Sequence, residues 1–166
     1  MRQGGEKEMK NTYISILIQS LEKKLHILDE IIAKNRVQLE GLEDPNLDPD
    51  DFDKTVRDKA ALIEQLEGLD AGFEEVFERV KKELETNREI YREEIRKMQE
   101  LIRKITDKSM LIRRQEAENK RLMEQKFAAV RRQVKEVRQS QKVVNQYYKN
   151  MMKSGYVEPQ FLDNKK

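Results

Sequence analysis

Apolar side chains recur every three or four positions along almost the whole chain, charged ones fill the intervals, and no glycine or proline interrupts Phe73 to Ser154. A period near 3.6 held over that length predicts long helices, each with a narrow apolar stripe that another helix must cover. The first helix is expected to start at Asn11 or Thr12, either of which can cap free backbone N–H groups, and to end at Gly41 or Leu42. Its stripe is Ile14, Leu17, Leu21, Leu28 and Ile31, flanked by Ile18, Leu25, Ile32 and Leu39. Glu43 to Asp53 holds Pro45, Pro49 and six carboxylates, which reads as an acidic turn between antiparallel neighbours. Asp48 then suits an N-cap, Pro49 the first helical position, and Asp50 and Asp51 the positive helix end.

A second helix is expected over 49–105, carrying Phe52, Val56, Ile63, Leu66, Leu69, Phe73, Val76, Phe77, Val80, Leu84, Tyr91, Ile95, Met98, Leu101, Ile102 and Ile105. Gly68 and Gly72, one turn apart, each weaken it by roughly 1 kcal/mol relative to Ala, and either let the first helix approach closely, permit a bend, or are simply tolerated. The cap-type run Thr106-Asp107-Lys108-Ser109 predicts a turn and a third helix over 110–150. The alternative is one unbroken helix on the order of 150 Å long. The third stripe, Ile112, Met123, Phe127, Val130, Val134, Val137, Val144 and Tyr148, is thinner, with Ser109, Glu116 and Asn119 at seam positions, so its pairing is expected to be weaker. Residues 151–166 form a tail in which Tyr156, Val157, Phe161 and Leu162 either fold back on the bundle or dock a partner. The expected architecture is all-α: one elongated antiparallel hairpin or bundle with coiled-coil character over 1–150.

Composition agrees, since 40% of residues are charged, 37% are hydrophobic and Trp is absent, which suits slender helices better than a thick globular core. The net charge of +2 conceals an asymmetry: Glu40 to Glu100 carries twenty acidic and ten basic side chains, Arg103 to Lys149 fourteen basic and five acidic. The basic segment is expected to fold beside the acidic one. A nucleic-acid or anionic-membrane face is the competing reading, weakened by Glu116, Glu118, Glu124 and Glu136 within it. The absence of cysteine excludes a disulfide framework and fits a reducing compartment, and Met1 to Lys10 lacks the apolar core of a signal peptide. A soluble cytoplasmic protein is expected.

Candidate chemistry is sparse. His26, beside Glu22, Asp29 and Glu30, is expected to be a solvated surface residue rather than a metal ligand. Adjacent carboxylates such as Glu74 and Glu75, or Glu93 and Glu94, face different directions on a helix, and no glycine-rich phosphate loop or activated nucleophile appears. Neither enzymatic activity nor a cofactor is expected. Met98 is expected to fill core space, and Met151 and Met152 to contact a partner.

The layout of an Ile14 to Leu42 helix, an acidic connector and then Lys59-Ala60-Ala61-Leu62-Ile63-Glu64-Gln65-Leu66 leading into Leu69, Phe73 and Val76 resembles the FlgN-like flagellar export chaperones. The related FliT-like chaperones share it. The resemblance implies a cytoplasmic protein that binds hook–filament junction subunits near their C-terminal helices and hands them to the type III export gate. On that reading Phe127, Val130, Val134, Val137, Val144 and Tyr148 form the client strip by helix-in-groove binding, with Tyr156, Val157, Phe161 and Leu162 a second contact for the gate. The competing class is a coiled-coil scaffold that self-associates without a client. A nucleic-acid binder centred on Arg113, Arg114, Lys120, Arg121, Arg131 and Arg132 comes third. Monomer and homodimer are both open.

Overall fold

The computed structural model describes residues 2–126, 128 and 131–153 in backbone, and leaves out the side chains of 2–4, 6, 7, 131–137, 140 and 151–153. Within these residues the chain is an all-α bundle of four helices: α1 (Arg2–Glu43), α2 (Pro49–Thr86), α3 (Arg92–Lys126) and α4 (Arg131–Lys153). No strand occurs among the described residues.

α1 is the spine. It packs against both α2 and α3, while α4 lies across the bundle against the same two helices. α2 runs antiparallel to α1, as three ion pairs record: Lys10 with Glu83 at 3.1 Å, Lys24 with Asp70 at 2.6 Å and Lys34 with Asp58 at 3.2 Å. α3 runs parallel to α1, with Lys108 reaching Asp29 at 2.6 Å and Gln115 accepting from Asn35 at 3.1 Å. α4 returns antiparallel to α3, with Arg138 on Glu124 at 3.3 Å, and alongside α2, where Tyr147 donates to Asp70 at 2.6 Å. The stripes read from periodicity are the core: Ile14, Leu17, Leu21, Leu28 and Ile31 of α1 close on Ile63, Leu66, Phe73, Phe77, Val80 and Leu84 of α2 and on Ile95, Ile102, Ile105 and Ile112 of α3. Met98 is fully buried among them.

Local signals account for the first connection. Asp48 caps α2 by accepting from the Asp50 N–H at 2.9 Å, with Pro49 at the first helical position and Asp50 and Asp51 in the first turn.

The other boundaries differ from those expected. α1 starts at Arg2 rather than at Asn11 or Thr12, and the Thr12 hydroxyl donates back to the Glu8 carbonyl at 2.9 Å instead of capping. The expected 49–105 helix is cut at 87–91. There the Asn87 N–H closes on the Glu83 carbonyl at 2.9 Å, and the Asn87 carbonyl receives the N–H groups of Ile90 and Tyr91. Tyr91 is buried and donates its hydroxyl to Glu83 at 3.2 Å, so it pins the turn to the end of α2. The turn expected at 106–109 is continuous α3, because Thr106 and Ser109 spend their hydroxyls on the carbonyls of Ile102 and Ile105, at 3.0 and 2.7 Å. The helix expected over 110–150 is accordingly two segments, the end of α3 and α4.

The charge asymmetry is also satisfied differently. Glu83, Asp70 and Asp58 of the acidic segment pair with α1 lysines, not with the basic segment. Gly68 and Gly72 admit no close approach of α1, for a Cβ at either would meet nothing within 4 Å.

Lys24 is buried with Asp70 as its counter-ion, and burial pulls its pKa down against the opposing pull of that carboxylate. Asp70→Ala would take the Asp70 carboxylate away from this buried cation and is expected to lower stability by about 3 kcal/mol. Lys24→Met combined with Asp70→Leu is expected to stay within about 1–2 kcal/mol of the parent in equilibrium urea unfolding followed by circular dichroism.

Candidate functional site

Beneath α4 the core changes character. Lys59 of α2 and Glu116 of α3 are both buried, in direct ion contact, and the Lys59 ammonium also donates to Gln38 of α1 at 3.0 Å. Gln38 donates in turn to Thr55 at 2.9 Å, and Asn119 donates to the Asn35 carbonyl at 3.0 Å. Ser109, Glu116 and Asn119, the polar residues at apolar seam positions of the third stripe, are all buried. This polar layer separates a small cluster of Leu42, Phe52, Val56 and Met123 at the connector end from the main core.

α4 meets the layer with two adjacent tyrosines. Tyr147 reaches the Lys24–Asp70 pair through its hydroxyl. Tyr148 is fully buried beside Glu116, and its hydroxyl has no hydrogen-bond partner. Burial, seconded by the Glu116 charge, pushes the Tyr148 pKa well above its ordinary value. Burial likewise pulls Lys59 down, opposed by Glu116. Gln141 of α4 is buried with its side-chain oxygen unpaired, while the Glu116 carboxylate keeps the Lys59 ammonium in ion contact. Each such unpaired group costs about 1–3 kcal/mol, so α4 rests on an imperfectly satisfied seat.

Of the expected client strip, two residues fall among the described side chains, and both are covered. Val144 and Tyr148 lie in the main core, which corrects the expectation of an uncovered stripe along them. Val134 and Val137 fall within α4 but their side chains lie outside the described residues, as do Phe127, Val130, Tyr156, Val157, Phe161 and Leu162. The Met151 and Met152 side chains lie outside them too. Sequence reasoning passed over Val143, which is 61% exposed and lines a groove of about 530 Å³ with Glu67 of α2. It gave Lys59 and Gln38 no role in a site; the signal was their position in phase with the apolar stripes. His26 is exposed and pairs with Glu30 at 2.9 Å, and no group of metal-ligating side chains able to hold an ion occurs among the described residues. No helix among them is long and apolar enough to cross a membrane.

Among the described residues the chain is thus a helical bundle whose last helix sits on an imperfect, partly polar seat. The chain belongs to the FlgN protein family, whose model matches residues 9–153 and so spans all four helices. This family makes it a flagellar export chaperone in general terms, with hook-associated proteins as the partners. No curated protein and no solved structure matches the chain.

The raised Tyr148 pKa carries a pH signature. Above about pH 10 the unfolded chain releases this proton while the folded chain keeps it, so the contribution of the neutral phenol is present below that pH and is lost as pH rises. Tyr148→Phe removes both the unpaired hydroxyl and the titration. It is expected to melt no lower than the parent at pH 8, and the gap in its favour is expected to widen by pH 11 in thermal scans.

Proposed function

We propose that this chaperone captures the C-terminal helical segment of hook–filament junction subunits in the cytoplasm by releasing α4 from its seat. Release bares Val144 and Tyr148 together with the polar-floored channel between α2 and α3, and these join Phe127, Val130, Val134 and Val137 as the client strip. The client helix then lies along that strip, which keeps its own apolar side chains from premature association. Delivery to the export gate uses Tyr156, Val157, Phe161 and Leu162 as the second contact.

The observation that supports this reading is the imperfect seat: Tyr148 Oη and Gln141 Oε1 are buried without hydrogen-bond partners along one helix interface, beside a Glu116 carboxylate held in ion contact with Lys59. An interface in that condition binds its own helix with less free energy than an apolar seam of equal area, so an incoming amphipathic helix competes with it. The apparent client affinity is scaled by the fraction of molecules with α4 released.

Two variants test the reading in opposite directions. Val134→Asp with Val137→Asp is expected to abolish capture of a hook-associated C-terminal peptide while the circular dichroism spectrum stays helical. Lys59→Met with Glu116→Leu replaces the ion pair by apolar groups, is expected to raise the melting temperature, and should weaken capture about tenfold by tightening the α4 seat. Unchanged peptide affinity in both, measured by fluorescence anisotropy, would reject the assignment.

A further inference from the structure

The outward side of α1 carries a second pattern that neither the core nor the α4 seat uses. Ile16 and Val37 are 40% and 51% exposed, and with Lys23 and Glu30 between them they form a line of residues seven apart. The line borders a groove of about 700 Å³ between α1 and α2, lined by Lys23, Ile27 and Glu30 on one side and by Gln65, Gly68 and Leu69 on the other. The α2 wall is low, because Gly68 and Gly72 face open space. Two glycines in a helix interior cost roughly 1 kcal/mol each, and nothing within the described chain packs against them in return.

From this we infer that two copies of the chain pair through the α1–α2 groove, their first helices antiparallel about a two-fold axis passing beside His26 and Ile27. The order along the line is apolar, basic, acidic, apolar, which is self-complementary under such an axis. One register sets Lys23 opposite the partner's Glu30 and Ile16 opposite the partner's Val37, and the symmetry repeats both contacts. An isologous interface requires this self-complementarity, whereas a client helix of unrelated sequence does not. Among the described residues Lys23 makes no ion pair within its own chain, so its charge is available to the partner. Ile16 to Val37 spans about 30 Å of helix, and at two helix widths the buried face is on the order of 600–800 Å² per partner, close to that of a standard stable interface. The low glycine wall lets the partner's α1 settle between α1 and α2.

Sedimentation equilibrium of the full chain at about 100 µM is the test, with charge reversal as its core. The parent is expected to be a dimer. Lys23→Glu and Glu30→Lys, each placing like charges opposite one another twice, should each weaken it about tenfold or more. The double variant Lys23→Glu/Glu30→Lys should restore it, and an equimolar mixture of the two single variants should form the heterodimer that neither forms alone. Ile16→Asp with Val37→Asp should be monomeric with an unchanged circular dichroism spectrum. Since the chain has no cysteine, His26→Cys gives a single thiol beside the axis and should oxidise to a covalent dimer, whereas Glu100→Cys on α3 should not. A monomeric parent, or a dimer indifferent to charge reversal, would overturn the proposal. Client-peptide capture by the same variants is expected to persist, so failure here leaves the α4 reading standing, and the reverse holds too.

Discussion

Two buried lysines hold this bundle in register. Lys24 and Lys59 each leave water to meet one carboxylate, Asp70 on α2 and Glu116 on α3. An ammonium buried in such a place tolerates no slippage, because a shift of one helical turn would leave it without its counter-ion. Apolar stripes alone would permit neighbouring registers at small cost, since one Leu or Ile replaces another readily. The α1–α2 hairpin therefore gets its stability from the stripe and its alignment from the lysines. Each pair is also attended by one of the adjacent tyrosines of α4, so the same two charges that align the first helices decide where the last one sits.

Much of this was legible in the residues. The all-α class, the two stripes of the α1–α2 hairpin, the Asp48 cap and the filling role of Met98 follow from periodicity and capping chemistry, which are local and strong. The turn between α2 and α3 was not legible, because it rests on Asn87 and on Tyr91 folding back to Glu83, contacts that exist only once the helices are assembled. Thr106 and Ser109 gave the opposite error. Cap-type hydroxyls also bond back to the carbonyl of the preceding turn, and composition does not tell the two uses apart. The candidate site was half legible: Ser109, Glu116 and Asn119 marked a weak seam from spacing alone, while Lys59 and Gln38, which complete it, carried no sequence signal of burial beyond their phase with the apolar stripes.

In the function we propose, the polar seat reconciles stability with the capture of another helix. A wholly apolar fourth seam would bind α4 tightly and leave little for any other helix to gain. A wholly exposed stripe of valines and tyrosines would be an association hazard in its own right. Burying Val144 and Tyr148 near a layer of Lys59, Glu116 and Asn119 keeps these two side chains out of water over a partly polar seat.

The order of the helices along the chain carries a consequence for synthesis. α1, α2 and α3 contain the spine, the lysine pairs and most of the main core, and all three precede α4. During translation, at a pace of about 5–20 residues per second, they leave the ribosome first and can assemble while the final helix is still being made. A nascent chain whose first three helices assembled at that point would hold the channel between α2 and α3 open until α4 emerged to close it.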